Sequence, residues 1–123
     1  MNRKVFPLGF WNYAKLGMYG TEAVQDWQDC GMNLCMSPRF EAEEDDPKQL
    51  IAFLDECEKR GIRLVVDDQR ASWIGASTDP EGYKERFGRV LADFGSHPAV
   101  FGFYVGDEPS GAQLADAKAA IRL

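Results

Sequence analysis

The sequence predicts an α/β fold built on a parallel sheet. Three observations carry this. Short apolar runs alternate with amphipathic helical stripes along the chain. The joints carry helix-start and helix-stop residues in the right order, Asp-Pro before two helices and Gly after three. The strand–loop–helix unit recurs every 30–40 residues or so, roughly the size of one βα unit. Such units lay their strands in parallel and cross over right-handedly. No linker or low-complexity stretch divides residues 1–123, so the chain reads as one domain.

Val5–Trp11 (VFPLGFW) is apolar and forms the first expected strand. Thr21 is placed to cap a helix ending at Asp29 or Cys30. Val24, Trp27 and Cys30 recur every third residue there, and Gly31 takes the C′ position. Met32–Ser37 (MNLCMS) is the second strand. Asp46 then caps a helix that opens with Pro47 and runs to Arg60, with Leu50, Phe53, Leu54 and Cys57 as its apolar stripe. Gly61 closes it. Ile62–Asp67 (IRLVVD) is the third strand, followed by a long loop, Asp68–Thr78, that contains Trp73. Asp79 and Pro80 start the next helix, whose Tyr83, Phe87, Val90, Leu91 and Phe94 fall on one helical face before Gly95. Val100–Val105 (VFGFYV) is the fourth strand, and a last helix covers Ala112–Ile121. The sheet order expected from these units is 1-2-3-4.

Composition excludes several classes of function. Hydrophobic residues make up 45% and aromatics 12%, enough to bury a core, so disorder is excluded. No apolar run approaches the ~18 residues of a membrane span. The net charge of −6 argues against a nucleic-acid partner. Five of the negative charges sit together as Glu41, Glu43, Glu44, Asp45 and Asp46, a solvated stretch that favours the following helix dipole. Cys30, Cys35 and Cys57 lack metal-ligand spacing and are expected as buried free thiols. A single histidine, His97, leaves no zinc set and falls in a turn between helix and strand, so neither metal nor cofactor is expected. Residues 1–15 contain no signal-peptide pattern, which leaves the cellular location open.

In parallel α/β folds, function sits at the C-terminal ends of the strands. That end collects Trp11, Asn12, Arg39, Asp67, Asp68, Gln69, Trp73, Asp107 and Glu108. Alternation along the second strand puts Met32, Leu34 and Met36 on one face, and Asn33, Cys35, Ser37 and Arg39 on the other. On the fourth strand Phe101, Phe103 and Val105 belong under the helices. Gly102, Tyr104, Gly106 and Glu108 then face the opposite side if the strand stays regular to its end. A carboxyl group there can pass a proton to a leaving oxygen or hold a cation. Asp107 or Ser110 suffices to cap the last helix.

The segment Ser96-His97-Pro98-Ala99-Val100-Phe101-Gly102-Phe103-Tyr104-Val105-Gly106-Asp107-Glu108-Pro109-Ser110 resembles the fourth-strand segment of retaining (β/α)₈ glycoside hydrolases of the clan A type. Phe10-Trp11-Asn12-Tyr13 and Gly31-Met32-Asn33 are similar to their first two units. The resemblance implies the first half of a TIM barrel, four βα units in order 1-2-3-4, since a whole barrel needs ~250 residues. It implies Glu108 as general acid/base and a carbohydrate substrate. Trp11 and Trp73 then stack on sugar rings, and Asn12, Arg39, Asp67, Gln69 and Asp107 contact hydroxyls. One position departs from the pattern: most members carry Asn where this chain has Asp107. The nucleophile implied at the end of a seventh strand has no counterpart among the four units. Two other functions fit the same residues, a metal-dependent barrel enzyme using strand-end carboxylates and a non-catalytic sugar-binding module.

A half-barrel exposes one sheet face and two edges, which favours self-association. The chain alone is expected to form dimers or aggregates, or to unfold in part, at micromolar concentration, without glycosidase turnover. Light scattering with a thermal melt checks this, and a sharply melting, active monomer is the contrary result.

Overall fold

The computed structural model describes residues 5–123 and is α/β. Three parallel strands, β1 (Leu34–Met36), β2 (Arg63–Asp67) and β3 (Val100–Tyr104), lie in the order β1-β2-β3. Four helices accompany them: α1 (Ala23–Asp29), α2 (Pro47–Lys59), α3 (Pro80–Phe94) and α4 (Leu114–Arg122). A 3₁₀ turn, Gln69–Ala71, follows β2.

The expected punctuation largely operates. The Asp46 carboxylate accepts the Lys48 N–H at 2.9 Å with Pro47 in the first turn, and Asp79 accepts the Gly82 N–H at 3.0 Å with Pro80 behind it. Such caps satisfy backbone donors that a helix start otherwise leaves open. Gly31 and Gly61 close α1 and α2 at φ 78° and 69°, a conformation that favours glycine. Thr21 does not cap α1; the helix begins after Glu22, whose side chain makes no capping bond, and the Thr21 carbonyl instead accepts the Val24 N–H. The last helix starts at Leu114, later than expected, and neither Asp107 nor Ser110 caps it.

The core lies between the sheet and the helices. Val24 of α1, Leu50, Leu54 and Cys57 of α2, Leu64 and Val66 of β2, and Val90 of α3 are fully buried together. Each large aliphatic side chain there contributes about 1.5–3 kcal/mol by leaving water. The other sheet face carries an apolar groove formed by Leu34, Met36, Val65 and Tyr104 with Phe10 and Trp11, and no helical residue lines it.

Alternation holds along β2 but not as expected in its neighbours. On β1 the apolar set does not take the helix side: Cys35 packs into the helix-side core, and Leu34 and Met36 line the opposite groove, which Cys35 also reaches. Both alternating sets of MNLCMS contain apolar residues, so polarity does not choose between them. On β3 the pairing runs Leu64–Val100 and then Val65–Gly102, which leaves Phe101 as an extra residue. Phe101 is 53% exposed, and the Arg63 guanidinium lies 4.9 Å from its ring centroid. Phe103 keeps its expected place against Phe87 of α3. Of the thiols, Cys35 and Cys57 are buried, but Cys30 is exposed at the end of α1.

The first expected strand, Val5–Trp11, does not form. Its residues run beside β1, where the Leu8 carbonyl accepts the Leu34 N–H at 3.2 Å and the Phe10 carbonyl accepts the Met36 N–H at 3.4 Å. The bonds are not returned as a ladder requires. Pro7 has no N–H, and Leu8 donates its own to the Asn33 side chain at 2.9 Å. Gly9 passes so close to β1 that an added Cβ would lie 1.6 Å from the Leu34 carbonyl oxygen. Gly9→Ala therefore overpacks this contact and should cost about 1–3 kcal/mol. Urea unfolding and amide exchange at Leu34 and Met36 measure it; an unchanged midpoint with unchanged exchange would contradict the close approach.

Candidate functional site

The C-terminal ends of the strands form a cleft of about 230 Å³. Six of the residues singled out in the sequence line it: Arg39, Asp67, Asp68, Gln69, Trp73 and Asp107. Tyr104 joins them. Enclosed sites for drug-sized ligands span about 300–1,000 Å³, so this cleft suits one small polar ring.

Asp67 is the last residue of β2 and pairs in register with Tyr104. Alternation turns its side chain away from the helices, onto the face that also bears Val65. It is only 1% exposed. Its backbone is pinned on both sides: its N–H donates to Ser37 Oγ at 2.9 Å, and its carbonyl accepts the Phe40 N–H at 2.8 Å. The carboxylate receives one bond, from Arg39 Nε to Oδ2 at 3.3 Å. Oδ1 is buried and has no hydrogen-bond partner. Burial pushes the Asp67 carboxyl above its usual range, the Arg39 charge pulls it back in part, and the neighbouring Asp68 adds to the rise.

Asp68 differs from its neighbour. Arg70 grips both of its oxygens, with contacts of 2.7–3.2 Å, and also reaches Asp93 at 2.8 Å. Asp68 is thereby neutralised within the loop that follows β2. Trp73, on the same loop, donates its backbone N–H to the Val105 carbonyl at 2.9 Å, which ties the loop to the end of β3. Asp116 of α4 holds the next stretch, accepting the Gly75 N–H at 3.0 Å and the Ser77 N–H at 2.9 Å, together with the Ser77 hydroxyl. Gly106 lies on the Trp73 ring: a Cβ there would meet ring carbons at 2.8 Å, and its φ of 133° favours glycine. Burial and the adjacent Asp107 carboxylate hold the Tyr104 phenol up at about 12, so it is a neutral donor at ordinary pH.

The remaining candidates fall elsewhere. Trp11 is half-exposed and meets Tyr104 edge-on, with ring centroids 5.2 Å apart, so it flanks the cleft across that ring and does not line it. Asn12 does not line the cleft. It is buried, and its amide is consumed internally: Nδ2 donates to the Tyr19 hydroxyl at 2.5 Å and to the Met36 carbonyl at 3.4 Å, while Oδ1 accepts the Ala14 N–H at 2.9 Å. It shapes the loop before Lys15 and has no amide group free for a ligand hydroxyl. Glu108 also departs from expectation. The strand ends at Tyr104, so alternation cannot be counted onward to it. Glu108 is exposed, does not line the cleft, and adopts φ 42°, alone among the described non-glycine residues in having a positive φ. That sparsely populated backbone region is rare enough for a glutamate to mark a constrained position.

His97 lies at the opposite end of the strands, as expected. Its Nε2 is 2.9 Å from Asp55 Oδ1, and Glu58 completes a group of three polar side chains. Because Nδ1 accepts the Ala99 N–H at 3.1 Å, the Nε2 proton points to Asp55, which suits a turn-holding bond. Tyr104 and the Asp116 anchor were not among the sequence candidates. Tyr104 was detectable from its parity, whereas the anchor joins residues 39–41 positions apart and left no local signal.

The raised Asp67 pKa has a consequence for stability. The folded state holds the Asp67 proton more tightly than the unfolded chain, so the contribution is fully present below the unfolded value of ~4 and is lost as pH rises through the folded pKa. Asp67→Asn removes that loss. The variant should gain stability relative to the parent as pH rises from about 4 through the folded Asp67 pKa, measured by urea unfolding across that range. A constant or opposite difference would show that Asp67 is not penalised when ionised. Comparison of the chain with protein-family models, with curated proteins and with solved structures finds no match.

Proposed function

We propose that this chain supplies the acid/base half of a retaining glycoside hydrolase site, with the sugar ring in the Arg39–Asp67–Trp73 cleft and Glu108 as proton donor. The observation that carries this is the convergence of Arg39, Asp67, Gln69, Trp73 and Asp107 on one cleft at the C-terminal ends of parallel strands. An indole wall with carboxylate, amide and guanidinium groups matches the needs of a sugar. Its ring faces are apolar, and its hydroxyls donate and accept at the edges.

Glu108 stands on the loop that delivers Gly106 and Asp107 to the cleft, and it makes no ion pair among the described residues. A bound sugar that covered it would strip its solvent and bring the glycosidic oxygen within reach of its carboxyl group, as proton donation requires. In the retaining route a second carboxylate attacks the anomeric carbon as the leaving oxygen takes that proton. Water then releases the sugar while Glu108 accepts a proton. The two carboxyl groups of such a pair stand about 5–5.5 Å apart. Asp67 and Asp68 are engaged by arginines, so this reading assigns the nucleophile to later βα units. The same pairing counts against a strand-end metal site, because Asp68 gives both oxygens to Arg70.

The test is Glu108→Gln in the protein that carries the whole barrel, with two substrates. Turnover of an alkyl glycoside should fall about 10²–10⁴-fold. Formation of the glycosyl intermediate from a dinitrophenyl glycoside, whose leaving group needs no proton, should change little. Alkyl glycoside turnover within twofold of the parent would remove Glu108 from the mechanism.

A further inference from the structure

We propose that the cleft selects an amine-bearing sugar unit, with the unpartnered Asp67 Oδ1 receiving the ligand's ammonium group. This rests on the glycoside reading above and narrows its substrate class.

The charge around the cleft is unbalanced. Asp68 is answered by Arg70 within the loop. That leaves Asp67 and Asp107 against Arg39 alone. Arg39 makes a single hydrogen bond to Asp67, through Nε to Oδ2, and leaves Oδ1 without any donor. A carboxylate oxygen held out of water without a donor is costly, and a ligand that brings a donor removes that cost. A sugar hydroxyl brings a donor without charge. An ammonium brings three donors and the positive charge that the cleft lacks, and bonds between ionised partners are roughly twice as strong as neutral ones. A uronate places a third carboxylate beside Asp67 and Asp107 and is disfavoured. Trp73, only 9% exposed, forms an indole wall that keeps the surroundings of Asp67 poor in water, where charge selection is stronger than in bulk solvent.

The experiment titrates the protein that carries the whole barrel with methyl glycosides of gluco, galacto and manno configuration, each as the parent sugar, the 2-amino sugar and the uronate. The Trp73 indole N–H resonance reports occupancy. In at least one configuration the amino sugar should bind about tenfold more tightly than the parent sugar, with the uronate weakest. Asp67→Asn should bring the amino and parent sugars to within twofold of each other. Asp107→Asn, at an exposed position, should reduce the preference about threefold, and it serves as the second variant should Asp67→Asn fail to fold. Equal affinity for amino and parent sugars overturns this inference and leaves the glycoside reading standing. A preference that survives both substitutions overturns the role given to the carboxylates. No response of Trp73 to any glycoside overturns both readings.

Discussion

Side-chain alternation along one strand is the constraint on which both the core and the cleft depend. β2 is the middle strand, so neither of its edges is free. Leu64 and Val66 point to the helices and are wholly buried, which fixes the rotation of the strand about its axis. Val65 and Asp67 must then point the other way. A one-residue slip would bury a carboxylate among Leu50, Leu54 and Val90, so the position of Asp67 in the cleft is enforced by the core beneath it. Aliphatic packing on one face thereby supplies the precision that a polar group on the other face needs.

What the sequence made legible follows from the same physics. The α/β class, the parallel order of β1 to β3, and the capped starts of α2 and α3 are local signals, written in residues within a few positions of each other. Six cleft residues are legible because they stand at strand ends or in the loops that follow them, which parallel folds bring together. The errors arose where long-range geometry decides. Val5–Trp11 looks like a strand by composition, but Pro7 and the Asn33 side chain disrupt its ladder from within and from 25 positions away. Counting along the strand does not reach Glu108, because the strand stops at Tyr104, and it misassigns Phe101, because a bulge intervenes. Asn12 has the chemistry of a ligand contact, but its partners Tyr19 and Met36 occupy it.

The loop after β2 shows how an irregular segment is given a fixed shape. It carries Gln69 and Trp73 into the cleft and is anchored at several separate points. Arg70 joins Asp68 to Asp93 of α3, the Tyr83 hydroxyl of α3 donates to the Ala71 carbonyl at 3.3 Å, Trp73 bonds to the end of β3, and Asp116 of α4 gathers Gly75 and Ser77. Each bond contributes only about 0.5–1.5 kcal/mol net, but together they connect the loop to three different elements. The indole ring is thereby held under Gly106, where a side chain on the facing backbone would displace it. Ring orientation is what a flat apolar ligand face requires, and these anchors hold it before any ligand arrives.

Asp67 and Arg39 show where stability and recognition diverge. A core built for stability alone would leave no buried carboxylate oxygen without a donor. Here Ser37 and Phe40 fix the Asp67 backbone, yet neither satisfies Oδ1, and Arg39 takes the other oxygen from a half-buried position. The backbone is thus fully satisfied, while the side chain of this cleft residue keeps one buried acceptor without a donor. That combination holds a carboxylate rigid and incompletely paired at once, and a rigid, unpaired acceptor gains more from an arriving donor than a solvated one does. The cost is carried by the folded protein in the absence of ligand, and the aliphatic contacts of Leu64 and Val66 on the reverse face of the same strand are what allow the fold to tolerate it.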